Sequence, residues 1–109
     1  MQQIYPAQIA EWASQQEQRP VLLDVREGWE VQTASAQPEG MDLLNMPMQT
    51  IPARLHELDK NRPIACLCHH GSRSMQVASF LIQQGFEVVN VAGGIHAWSA
   101  QLDPSIPVY

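Results

Sequence analysis

Short runs that are apolar at nearly every position alternate with stretches of helical periodicity, and this alternation sets the fold. Val21-Leu22-Leu23-Asp24-Val25 and Ile64-Ala65-Cys66-Leu67 have no polar face. A strand reads this way when both of its faces are covered, as in a parallel sheet between helices. Helix-like segments stand between the runs. Residues 6–13 open with proline, which a first helical turn tolerates, and place Ile9, Trp12 and Ala13 at helical spacing. Residues 27–36 read as a short helix and 37–40 as a turn. Thr50 is placed to cap a helix running to Leu58, with an apolar stripe of Ile51, Leu55 and Leu58. Residues 74–82 are amphipathic and stop at Gly85, and Gly93-Gly94 turns the chain into a last helix at 95–98. Residues 4–5, 41–46 and 86–91 supply further strands, and 103–107 reads as an extended tail. Such alternation gives an α/β fold of three layers, α/β/α, around a central, mainly parallel five-stranded sheet. The length of 109 residues suits one domain spanning 1–109.

Composition excludes several function classes. The net charge is −5 with only 6 Lys+Arg, whereas a nucleic-acid surface needs clustered cations against phosphate. The first residues lack the basic and apolar regions of a secretory signal, and no apolar run approaches a membrane span. Trp29 and Trp98 read as core or pocket-wall residues. The two cysteines, Cys66 and Cys68, lie too close in sequence to staple a fold. On one strand their Cα atoms stand about 6.5–7 Å apart, at the upper edge for a disulfide. Reduced thiols in the cytoplasm are the simpler expectation, with Cys66 a packed core thiol.

The segment that carries chemistry is Cys68-His69-His70-Gly71-Ser72-Arg73. It stands between a strand and an amphipathic helix, where loop amides and a helix N-terminus aim donors at one spot. That field favours a thiolate, the nucleophilic form of cysteine. Gly71 allows close backbone approach. Ser72 adds a hydroxyl or an amide, and Arg73 adds a permanent charge. His69 and His70 would line the rim and add charge below about pH 6.5. Adjacent histidines on a tight loop do not converge on one ion, and His56 and His96 stand apart, so no metal and no cofactor is expected. Asp24, Arg26 and Glu27, at a strand end near the same sheet edge, are expected to form a structural bridge with each other or with the loop.

Three ordered motifs resemble the single-domain rhodaneses, a sulfurtransferase family, over nearly the full length. They are Leu22-Leu23-Asp24-Val25-Arg26-Glu27 with Trp29-Glu30, then Cys68 to Ser74, then Val91-Ala92-Gly93-Gly94-Ile95-His96-Ala97-Trp98. The resemblance implies a rhodanese-like fold and a monomer that binds a small-molecule sulfur donor and a thiol or cyanide acceptor. It implies that Cys68 carries a sulfane sulfur, taken from thiosulfate or a persulfide, with His69, His70, Gly71, Ser72 and Arg73 binding substrate. A sulfur-relay protein is a further candidate partner. Two departures stand out. His69 occupies a place where relatives often carry a basic residue, and the stretch 36–41 lacks the family's usual histidine.

Three other functions share these residues. Cysteine phosphatases and arsenate reductases use the same logic, but the related cell-cycle phosphatases have a loop one residue longer. The Cys-x4-Arg loop here forms a tighter bowl, better suited to one sulfur than to a phosphate. A non-catalytic module would typically lack the cysteine. A sulfur carrier serving one protein partner would show low free turnover.

Overall fold

The computed structural model describes residues 1–109. Strands β1 (Gln3–Ile4), β2 (Val21–Asp24), β3 (Asp42–Asn45), β4 (Ile64–Leu67) and β5 (Val88–Val91) form one sheet in the order β1-β5-β4-β2-β3. Every pairing is parallel, so the sheet is wholly rather than mainly parallel. The helices are α1 (Ile9–Ser14), α2 (Gly28–Thr33), α3 (Ile51–Arg54), α4 (Ser72–Gln83) and α5 (Gly94–Gln101). None is long and apolar enough to cross a membrane.

The three inner strands are buried at every position, which is why their sequences show no polar face. Alternate side chains on a strand point to opposite faces. Leu22, Ala65, Leu67, Val89 and Val91 pack with Ile9 and Ala13 of α1 and Ile95 and Trp98 of α5. Val21, Leu23, Ile64, Cys66 and Val88 pack with Ile51 of α3 and Val77, Ala78 and Leu81 of α4. The sheet is thus covered on both faces, and its strand ends are left to the loops.

At the end of β2, Asp24 and Arg26 form a fully buried ion pair at 2.7 Å. A guanidinium has five N–H donors, and here each has a partner. Asp24 accepts from Nε and Nη2, the Ala34 carbonyl from Nη2, and the Glu30 carbonyl and Tyr109 hydroxyl from Nη1. Such full pairing is what makes a buried charge tolerable. The bridge expected from the sequence therefore joins Asp24 to Arg26.

Three expectations change. Residues 50–58 are not one helix but a 3-10 turn (Met48–Thr50), α3 and a second 3-10 turn (Leu55–Glu57). Thr50 is already in helical backbone, so its hydroxyl donates back to the Pro47 carbonyl and caps nothing. The tail is folded, not extended. The Ile106 amide donates to the Asp103 carbonyl, Ser99 Oγ donates to the Ile106 carbonyl, and Ile106 is buried. Trp98 is core, but Trp29 is 63% exposed on α2, with its ring edge-on to Tyr109.

Candidate active site

Cys68 leaves the C-terminal end of β4, a central strand with neighbours on both sides. Its Sγ accepts a hydrogen bond from the Gly71 amide at 3.0 Å. Gly71 has φ +105°, in the left-handed region, and a Cβ there would lie 3.2 Å from the Gly93 nitrogen. α4 begins at the next residue.

The start of α5 fixes the loop from outside. Ile95 N–H donates to the Cys68 carbonyl at 2.8 Å, and His96 N–H donates to the His69 carbonyl at 3.1 Å. This contact needs Gly94, whose φ is +62° and whose Cβ would lie 2.5 Å from the Cys68 carbonyl oxygen. Both loop carbonyls are thereby turned toward α5. In a trans peptide the N–H lies opposite the C=O, and no peptide here is cis. The His69 and His70 amides accordingly face away from α5. They donate to no protein atom, and neither do those of Ser72, Arg73 and Ser74, the first amides of α4. Helix geometry leaves such first-turn amides free, with partial positive charge.

Beneath the sulfur lies a buried polar set. Ser74 Oγ is 3.3 Å from Cys68 Sγ and donates to Asn90 Oδ1 at 2.6 Å. The Asn90 amide in turn donates to the Gly71 carbonyl and to Gln3 Oε1, each at 3.2 Å. A polar side chain inside the run Val88-Val89-Asn90-Val91 was the sequence signal for this support, and neither Ser74 nor Asn90 was singled out as a site residue.

Arg73 is paired. Its guanidinium forks onto the Glu30 carboxylate with two bonds of 2.8 Å. Glu30 also accepts from the Glu27 amide and the Tyr109 hydroxyl. The Arg73 bonds, followed by the Glu27 amide and the Tyr109 hydroxyl, outweigh burial and hold the Glu30 carboxyl down at about 2, from 4.5. The permanent charge expected at Arg73 is thus balanced by Glu30 on α2, a residue within the matched motif whose role the sequence did not reveal.

The sign of the Glu30 shift gives a pH window. A depressed carboxyl stabilises the fold above its unfolded value and loses that contribution as pH falls through its folded value. Linkage, discounted for solvent screening at the part-exposed Arg73, puts the contribution at roughly 2–3 kcal/mol at neutral pH. Glu30→Gln should therefore unfold at lower denaturant than wild type above about pH 5, and the difference should shrink as pH falls toward 2. Chemical denaturation of both proteins across that range checks it.

His69 and His70 do stand beside each other, with ring centroids 3.9 Å apart, and His96 lies 5.1 Å beyond His70. The other face of His69 is covered by Tyr109 at 3.9 Å with a 4° interplanar angle. Burial, then His70, holds the His69 imidazolium below its ordinary value. The charge expected of His69 below about pH 6.5 is accordingly delayed to lower pH, because the ring is covered rather than left in water. The Ser72 hydroxyl makes no hydrogen bond within the protein, and His70 is exposed. Cys66 is fully buried among Leu23, Val77 and Ala78, and burial pushes its thiol up.

A family model described as the rhodanese-like domain matches residues 7–101. The chain belongs to the rhodanese-like family. YtwF of Bacillus subtilis, named a "putative sulfurtransferase", is 40% identical over 85 residues, which span 76% of this chain and 77% of that protein. A sulfurtransferase of Allochromatium vinosum is 40% identical over 80 residues, 72% of this chain and 71% of its own. Among solved structures, a rhodanese-related protein from Thermoplasma volcanium superposes with a TM-score of 0.79 at 27% identity, covering 100% of both chains. A rhodanese-like domain protein from Staphylococcus aureus gives 0.77 at 28%, covering 100% of this chain and 99% of that one. The α/β/α architecture derived above is the rhodanese-like one.

Proposed function

We propose that this rhodanese-like protein is a sulfurtransferase that carries sulfane sulfur as a persulfide on Cys68. The observation that supports this most is the Gly71 amide on Cys68 Sγ, within a loop whose five other amides at 69, 70 and 72–74 donate to no protein atom. A negative terminal sulfur is the small, diffuse anion such donors suit. Both relatives described above carry sulfurtransferase names.

The chemistry has two halves. The Cys68 thiolate attacks the outer sulfur of the donor, a new S–S bond forms, and the donor's own bond to that sulfur breaks. The leaving group departs with the electron pair, as sulfite from thiosulfate or as a thiolate from a persulfide. An acceptor thiolate or cyanide then attacks the terminal sulfur and returns the Cys68 thiolate. Because Glu30 balances Arg73, a doubly charged donor meets no unpaired permanent cation. A singly charged alkyl persulfide fits this loop better than thiosulfate does.

Parallel assays test the reaction class. The protein should transfer sulfur from an alkyl persulfide, and more slowly from thiosulfate, to cyanide or a thiol. Hydrolysis of an aryl phosphate should stay at background. Good turnover of the phosphate ester with no thiocyanate formed would replace this reading with the phosphatase one.

A further inference from the structure

Resting on the sulfurtransferase reading, we propose that Tyr109 is a positioning residue of the active site, one that holds His69 and the Glu30–Arg73 pair in place around the Cys68 loop. Tyr109 lies beyond the segment 7–101 that the family model matches, and it reaches the loop from the tail that follows α5.

Its contacts run to both sides of the loop. The ring covers the His69 imidazole in a near-parallel stack, and His70 covers the opposite face. With Trp29 edge-on to Tyr109 and His96 beyond His70, five rings stand in a row along the loop. The hydroxyl accepts from Arg26 Nη1 and donates to Glu30 Oε1, each at 3.0 Å. Arg26 is fully buried and fixed by Asp24, so the hydroxyl is anchored to a rigid point of the sheet. Glu30 in turn orients Arg73. One side chain therefore sets the first histidine of the loop and, through a carboxylate, its arginine.

The tail is built to hold this position. Ile106 is buried against the α1 and α5 layer, and Ser99 Oγ grips its carbonyl at 2.7 Å. The stack also buries His69 Nε2 without a hydrogen-bond partner. Clamping His69 steadies the adjoining peptides, whose amides are the free donors at 69 and 70. The groups facing its imidazole are His70, Tyr109, Glu30 and Arg73.

Two variants separate the ring from the hydroxyl. Tyr109→Phe keeps the stack and loses the bonds to Arg26 and Glu30, whereas Tyr109→Ala loses both. Donor kcat and KM would be measured on the full chain with an alkyl persulfide, and the His69 ring titration followed by NMR. Tyr109→Ala should lower kcat/KM by about tenfold, mostly through KM. It should also move the His69 titration to higher pH as water reaches the ring. Tyr109→Phe should keep the wild-type His69 titration and recover KM to within about threefold. The proposal is overturned if Tyr109→Ala leaves either readout at its wild-type value, or if Tyr109→Phe is as impaired as Tyr109→Ala in both. If Tyr109→Ala does not fold, the His69 titration in Tyr109→Phe still decides, since a stack held by the ring must leave it unmoved. A wild-type protein that takes no sulfur on Cys68 would defeat the sulfurtransferase reading, while the His69 titrations would still report whether Tyr109 clamps the loop.

Discussion

Cys68→Ser is expected to remove sulfur transfer altogether, by at least about three orders of magnitude in kcat/KM. Serine fits the space and can accept the Gly71 amide, so the loop should stand. Its hydroxyl stays protonated, however, and the groups beside the sulfur are an amide and a serine hydroxyl, neither of them a base. An oxygen at this place cannot carry a persulfide. Cys66→Ala is the matched control. It removes a buried thiol from the layer under α4 and should lower stability by about 1–2 kcal/mol while keeping most of the activity. Thiocyanate formation by both variants, with their unfolding curves, decides the assignment. Full activity in Cys68→Ser would end it.

Gly94→Ala should be the most damaging substitution that touches no reacting group. The new Cβ would fall 2.5 Å from the Cys68 carbonyl oxygen and close to the His69 backbone as well. Backbone cannot fold aside as a flexible side chain can, and φ of +62° is itself strained for alanine. The loop has to move off α5, which breaks the Ile95 and His96 bonds to its two carbonyls. A loss of about 2–4 kcal/mol is expected, with sulfur transfer down at least a hundredfold. Gly28→Ala is the contrast, because its Cβ would meet nothing within 4 Å. Comparable stability and activity in the two variants would show that the α5 clamp does not shape the loop.

The layers were legible because covered strands leave a chemical trace. Val21 to Val25 and Ile64 to Leu67 need apolar side chains on both faces, and that requirement is written in consecutive residues. The candidate loop was legible for a related reason, since Cys68 to Arg73 is contiguous and sits where a strand meets a helix. What joins it from elsewhere was not. Glu30 reaches Arg73 only because α2 follows β2 on the neighbouring strand, and Tyr109 reaches His69 only because Ile106 is held against α5. Pairings of this kind depend on topology, which one sequence does not display. The single helix expected over 50–58 is broken up because helical spacing of Ile51, Leu55 and Leu58 does not separate α from 3-10 backbone over so few residues. The charge expected of His69 is moved to lower pH for a different reason. Burial and then His70 hold its imidazolium down, and part of that cover is the Tyr109 ring, a contact with the far end of the chain.

The central claim is that Cys68 holds a sulfane sulfur, and intact-mass spectrometry of the purified protein tests it most directly. After treatment with an alkyl persulfide or thiosulfate, the wild-type chain should gain the mass of one sulfur atom. Peptide mapping should place that atom on Cys68, and cyanide should remove it as thiocyanate. A protein that stays unmodified with both donors, or that carries the added sulfur on Cys66, would contradict the account.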